Sequence, residues 1–266
     1  MKISSTNDIT NAGALTVTAD ANSAQTIADI TTSDFSTAYT SNGSSSNFTI
    51  HKTFTTGISC RYVGIAGHNL SEIGGTVVLK VNNVIKKTIG FGASNRSPNW
   101  VTMVHFDQMT ATTVEIIITK TSTDKVTLAF MAIGDTLDSE FTFPKQNVAP
   151  AGFPKTWRTR SSKIRSQIND AGQPVANIRQ QISRKTTLNL KNIALSVIQS
   201  DTWLKFLDMV YEQGTFFYKD EDGTNLVDEP RASVMAFQVD VLPPKMHGST
   251  RQLVDLSIKF NAYTGS

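Results

Sequence analysis

The pattern of apolar and polar positions changes character along the chain, and its clearest ordered unit lies between Thr186 and Asp222. Leu188, Leu190 and Asn192 alternate with polar neighbours, the period-two signature of a half-buried strand. Ser200 or Asp201 then offers a side-chain oxygen to the free amides of a helix start. Trp203, Leu204, Leu207, Val210 and Tyr211 follow at spacings of three and four, which predicts one apolar helical stripe. Gly214 stands where a left-handed C-terminal cap is needed. Phe216-Phe-Tyr218 restarts an extended run that a turn at Asp222-Gly223 closes. The reading is strand, helix, strand, with Trp203 and Leu207 facing a sheet that carries Leu188, Leu190 and Phe216 or Phe217.

Upstream the texture is different. The first 47 residues are rich in Ser, Thr, Ala and Asn, with SNGSSSN at 41–47, and predict loops around short strands such as Leu15–Thr18. From Phe48 on, FTIHKTF, RYVGIAG, GTVVLKV, VIKKTIGF, WVTMVHF, TVEIIITK and KVTLAFMAI predict seven short strands bounded by turn residues. No helical period interrupts them, so the expectation is an all-β sandwich or jelly roll. Asn82-Asn83 is a good tight hairpin turn, because Asn tolerates positive φ.

Residues 136–156 carry three prolines and no period, which marks a junction. The expected division is a jelly roll over 1–140, a linker over 141–156 that is open to proteolysis between Phe141 and Trp157, and an α+β unit over 157–266. Within that unit, RTRSSKIRSQI and PVANIRQQISRKTTLNL flank an Asn169–Gly172 turn as a long hairpin. ASVMAFQVDVLPP and RQLVDLSIKFNAY add two strands. The fold class is therefore mainly β, a sandwich followed by a sheet with one helix. No internal repeat emerges.

Charge sharpens the picture only in the second half. The whole chain is +3, but 155–191 holds nine Lys/Arg and the single acid Asp170, whereas 192–266 holds six basic and ten acidic residues. One cysteine, Cys60, excludes an intramolecular disulfide and a cysteine-based zinc cluster. No basic start with an apolar core suggests a signal peptide, and no apolar run approaches the ~20 residues of a membrane span, so membrane insertion is not expected. There is no phosphate-binding Gly loop, nucleophile elbow or paired-His helix motif. His105 and Asp107 share a strand face and in principle suit a metal or an oriented base, but a rim pair is the plainer reading. Cys60 reads as a small buried hydrophobe and Trp203 as core. No catalytic residue, metal or other cofactor is expected, and the chain reads as non-enzymatic.

Arg61-Tyr-Val-Gly-Ile-Ala-Gly-His-Asn-Leu70, followed by Gly74-Gly-Thr-Val-Val-Leu-Lys80, resembles the central strand and turn of galactose-binding-like (discoidin-like) jelly rolls. The resemblance covers roughly residues 15–135. It implies loops at one end that present aromatics and charges to a sugar, and here Phe91, Arg96 and Trp100 form such a cluster. No dense Asp/Glu set suggests the calcium site that such modules often carry, and Asn69 reads as a turn-satisfying residue.

The order basic segment, Asn-x-x-Gly turn, Arg-rich strand, Leu-Asn-Leu-x-Asn strand, Trp-containing helix, Gly-Thr-Phe-Phe-Tyr strand is similar to the distal tail (Dit-like) proteins of long-tailed bacteriophages. That resemblance implies a virion structural protein, made in the host cytoplasm and assembled as a homo-oligomeric ring, commonly a hexamer. Such a ring joins the tail tube and hub to a baseplate or receptor-binding apparatus. This chain departs from the family in placing its jelly roll first. A ring suits the charge split, because neighbours can pair opposite charges head to tail. Arg158, Arg160, Arg165, Arg179 and Arg184 are the cationic candidates for that interface, and Asp220, Glu221 and Asp222 the acidic ones. The alternative is a carbohydrate-binding protein that attaches to host-surface glycans. A third reading, nucleic-acid binding by the basic segment, has only Trp157 as a stacking aromatic.

Overall fold

The computed structural model describes residues 2–91, 100–121, 123–137, 162–168, 174–181, 184–219, 233–247 and 252–263. The chain is mainly β, a sandwich followed by a sheet with one principal helix. The strands are β1 (Lys2–Ile3), β2 (Leu15–Ala19), β3 (Tyr39–Thr40), β4 (Asn47–His68), β5 (Thr76–Val81), β6 (Val84–Gly90), β7 (Trp100–Thr119), β8 (Thr127–Leu128) and β9 (Phe130–Gly134). After the junction come β10 (Ser162–Ile168), β11 (Pro174–Gln181), β12 (Arg184–Ala194), β13 (Thr215–Lys219), β14 (Ser233–Val241), β15 (Lys245–His247) and β16 (Leu253–Tyr263). Two helices, α1 (Leu195–Ile198) and α2 (Asp201–Gln213), lie between β12 and β13.

Two pairs of expected short strands are fused. FTIHKTF and RYVGIAG form the single 22-residue β4, and WVTMVHF and TVEIIITK form the 20-residue β7. The stretch that separates the two expected strands is an irregularity in a continuing ladder: Thr53 pairs with Thr113 and Ile58 with Ala111. Four residues of β4 thus lie opposite one of β7, and such bulges bend a strand from one layer into the next. The first parts of β4 and the last of β7 join β2, β5 and β6 in one layer; their other ends join β9 in a second. Between the layers lies a core that includes Phe48, Ile50, Ile65, Leu79, Val104, Ile116 and Met131. At the β5–β6 hairpin Asn82 and Asn83 have φ of 50° and 64°, the positive values such a turn requires.

The second half forms a six-stranded sheet in the order β1-β13-β14-β16-β12, with β15 also on β16. Its edge strand β1 comes from the other end of the sequence, which no local pattern announces. Pro243 and Pro244 interrupt the line of β14 and β15 along β16, consistent with the missing amide hydrogens of proline. The linker expected at 141–156, its proteolytic site, and the turns at 169–172 and 222–223 lie outside the described residues.

Helix α2 starts and stops where the sequence places it. Ser200 Oγ accepts the Trp203 amide, and Gly214 takes φ 65° with its amide bonded to the Val210 carbonyl. The buried stripe is different from the expected one: Trp203, Phe206, Met209 and Val210 are buried, Leu207 is half-buried, and Leu204 and Tyr211 are 50% and 79% exposed. Phe206 packs between Trp203, tilted against it, and Phe216, edge-on to it, with ring centroids 5.1 and 5.6 Å away. Lys205 beside Phe206 hides that residue in a stripe count, although both choices obey a helical period.

Successive residues of β13 face opposite ways. Phe216 and Tyr218 meet α2, whereas Phe217 meets the β9-bearing layer of the sandwich. There it joins Tyr62, Ala66, Val101, Met103, Phe130, Ala132 and Met235. Phe217 lies 5.8 Å from Phe130 with rings nearly parallel, and any Cβ on Gly64 would stand 2.8 Å from its ring. A strand buried on both faces reads as an unbroken apolar run, which is why Phe-Phe-Tyr shows no alternation.

Candidate functional site

The cationic segment supplies a hairpin, but its second arm is shorter than expected: it ends at Gln181, and the Arg184–Leu190 part of the expected arm belongs to β12 in the other sheet. β10 and β11 pair antiparallel from Ser162↔Gln181 to Ile168↔Pro174, which places Arg165 opposite Ile178 and Arg179 opposite Ile164. Among the described residues this hairpin pairs with no other strand. Three residues further on, Arg184 opens β12, which pairs with β16 on one side and with no described strand on the other. Arg158, Arg160, Asp220, Glu221 and Asp222 lie outside the described residues. The structure thus puts Arg165 and Arg179 on paired strands, and Arg184 on a strand of the other sheet that does not pair with them among the described residues.

The glycan cluster separates. Phe91 is 2% exposed and belongs to the sandwich core, its ring edge-on to His68 at 5.4 Å. This corrects the expectation that it contacts a sugar: a ring this buried offers no open face for stacking. Trp100 opens β7, in register with His68. Arg96 lies outside the described residues. His68 is itself buried, with Nε2 3.2 Å from Thr102 Oγ1, and burial pushes its pKa down to about 3, so the ring is neutral. Asn69 meets its expected role: its Nδ2 donates to the Lys125 carbonyl and its Oδ1 accepts the Thr127 amide, each at 2.8 Å.

His105 is half-buried on β7 and Asp107 exposed. Among the described residues no three His, Cys, Asp or Glu side chains gather as a metal site would require. Cys60 is buried, and desolvation raises its thiol pKa to about 12, which removes the thiolate a nucleophile needs. A void of about 10 Å³ between Ile65, Leu79, Phe91 and Thr102 is too small for an organic ligand.

The most polar built feature escaped the sequence reading. Lys120 Nζ lies 2.7 Å from Asp20 Oδ2, with both side chains fully buried. Lys120 also donates to the Asp124 carbonyl at 2.7 Å. Ser41 Oγ donates to the same carboxylate at 2.7 Å, and the Ser44 amide and hydroxyl bond its other oxygen at 2.6 and 3.1 Å. Desolvation raises the Asp20 pKa, but these donors outweigh it and hold the carboxyl well below the usual range. The Ser-rich 41–47 stretch, which looks like low complexity, is therefore a carboxylate cradle. The signal in the sequence was Asp20 itself, an acid in a polar region. Its partner a hundred residues away was invisible. A carboxylate so fully satisfied is chemically inert, and the arrangement pins three loops.

No family model matches the chain, and no curated protein matches it. Solved structures do. A chitosan-binding module derived from a chitosanase/glucanase of Paenibacillus sp. IK-5 is 12% identical, with TM-score 0.40, over 48% of this chain and 98% of that one. The lectin binding domain of Lectinolysin, complexed with Lewis b, is 14% identical, with TM-score 0.38, over 48% and 95%. A carbohydrate-binding module of AlyQ, in complex with 4,5-unsaturated mannuronic acid, is 18% identical, with TM-score 0.36, over 50% and 97%. None of the three is a tail protein, and likenesses this distant decide nothing about what this chain binds.

Proposed function

We propose that the chain is a non-enzymatic structural subunit that assembles with copies of itself through the outer edge of β12, the role of a ring component in a phage tail tip. One observation carries this reading: the 11-residue β12 has no strand partner on its outer side among the described residues, beside a hairpin equally without one. Eleven residues present a row of backbone donors and acceptors about 36 Å long. Such an edge is a template for another strand, and a two-stranded hairpin alone is marginal in water. Hairpin of one copy against edge of the next is a head-to-tail contact, which closes into a ring or runs on as a filament. A hexamer between tail tube and receptor-binding apparatus, on a virion, is what the sequence resemblance suggests.

Charge sets the terms of that contact. Hairpin and edge both carry cations, including Lys163, Arg165, Arg179, Arg184, Lys185 and Lys191, so bare pairing is repulsive. Acids of the neighbour, from Asp220, Glu221 and Asp222, supply the compensation, and an Arg fork holds a carboxylate with two bonds. Native mass of the purified chain tests the reading: one discrete large oligomer is expected. Arg158, Arg160 and Arg165 all changed to Glu should leave a folded chain that no longer forms that large oligomer, and reversing the acidic trio as well should restore it. A wild-type chain that stays monomeric at every concentration overturns the proposal.

The second reading is glycan attachment by the N-terminal sandwich. What favours it here is Trp100 at the head of β7, with Arg96 four residues before it. A glycan array probed with wild type and Trp100→Ala tests it. Signal lost in the variant supports sugar binding at that end, and an array blank for wild type removes the reading.

A further inference from the structure

The N-terminal segment, residues 2–9, is bound like an inserted strand, independently of the assembly edge described above. Ile3 is buried in the core beneath α2 and Ile9 in the core of the sandwich, so the segment has one apolar anchor in each half. Lys2 and Ile3 pair with Lys219 and Tyr218 on the edge of β13. The Ser4 amide donates to the Phe217 carbonyl at 2.9 Å, and the Phe217 amide donates back to Ser4 Oγ at 2.8 Å. Tyr62 Oη donates to the Thr6 carbonyl at 2.6 Å, the Asp8 amide to the Ile133 carbonyl at 2.6 Å, and Asn7 Nδ2 to Gln213 at the end of α2 at 2.9 Å.

Thr10 to Ala14 are all exposed and Gly13 turns the chain at φ 138°, while the Ala12 and Ala14 carbonyls accept the Thr55 and Thr53 amides at 2.9 and 2.8 Å. The segment also fits imperfectly: Ser5 Oγ and Thr136 Oγ1 are buried with no hydrogen-bond partner among the described residues. We propose that residues 2–9 are a donor segment that exchanges between copies of this chain, with Thr10–Ala14 as the hinge and the groove formed by β13, β9 and Tyr62 as the acceptor. The acceptor makes the same contacts whichever copy supplies the segment. Exchange therefore costs only the association entropy, while a short hinge that changes conformation sets the balance. Once a neighbour's segment is inserted, it links the two halves of one subunit to the body of another.

Ser4 and Thr136 face each other as bridge partners, which makes exchange directly readable. A Ser4→Cys chain and a Thr136→Cys chain are mixed unfolded, refolded together at rising concentration and oxidised. The two cysteines meet only if one chain's segment enters the other's groove, since Cys60 is buried. A mixed disulfide dimer whose share rises with concentration is expected; its absence, while the double variant closes its bond within one chain, overturns the proposal. A second readout does not depend on disulfide geometry. Native mass of the refolded triple Arg→Glu variant, which is cut off from edge assembly, should show a concentration-dependent dimer that Ile3→Asp abolishes. A monomer throughout refutes exchange without touching the edge-assembly reading.

Discussion

Replacing Phe217 by Ala removes a large buried side chain that helps fasten the second sheet to the sandwich. Phe217 and Met235 are the only fully buried members of that cluster contributed by the second sheet, against six from the sandwich. The phenyl ring is 1% exposed and lies against Phe130 at 5.8 Å and Tyr62 at 6.2 Å. Truncating a buried Phe costs about 3–5 kcal/mol, within which each lost aromatic pair accounts for about 0.5–1.5 kcal/mol. The neighbours across the gap are strand residues on a sheet, so collapse into the cavity is limited and the upper part of that range applies. The wild-type chain should unfold in one calorimetric transition, and Phe217→Ala in a broader or split one, because the coupling between the halves is weakened while each layer keeps its own core. Phe216→Ala is the control: it is equally buried but faces α2, so the cost should be similar without separation of the halves. Gly64→Ala should also destabilise, since its Cβ meets the Phe217 ring at 2.8 Å, and Phe217→Leu in the same chain should recover part of the loss. A single, unbroadened transition in Phe217→Ala, with a loss below about 1 kcal/mol, refutes this account of the interface.

Three further outcomes follow from the same geometry. Lys120→Met strands the buried Asp20 carboxylate and should cost about 3–5 kcal/mol by denaturant titration, with much of it regained in Asp20→Asn/Lys120→Met; additive losses count against a coupled pair. Because the folded Asp20 pKa lies below its ordinary value of 3.8, its contribution is complete above that pH and is lost as pH falls through the depressed folded value. Asp20→Asn should therefore flatten the acid limb of the stability curve, and an unchanged limb would contradict the cradle. On α2, Phe206→Ala should cost about 3–5 kcal/mol, Ser200→Ala about 1 kcal/mol, and Leu204→Ala and Tyr211→Ala little; equal losses at Leu204 and Phe206 would put the wrong face inward.

What the sequence determined by itself is local. The Ser200 cap, the Gly214 stop, the Asn82-Asn83 turn and the hairpin flanking 169–173 each follow from chemistry within a few residues, and each is present where expected or in the register it implies. Mainly β character followed from runs of β-branched residues, for the same reason. What only the tertiary structure decided depends on partners far apart in the chain. Gly57 lies between two expected strands in sequence, but continuous pairing with β7 makes it part of a bulge in a 22-residue strand. Phe91 carries no mark that separates a sugar platform from a core ring; the His68 packed against it settles the matter. Which aromatics of Phe216-Phe-Tyr218 meet the helix depended on a second layer behind the sheet. Lys120 found Asp20, and Ile3 found Tyr218, across most of a domain or more. Composition can supply a buried charge or an apolar anchor, but only chain closure brings its partner within reach, because long-range contacts leave no period to read.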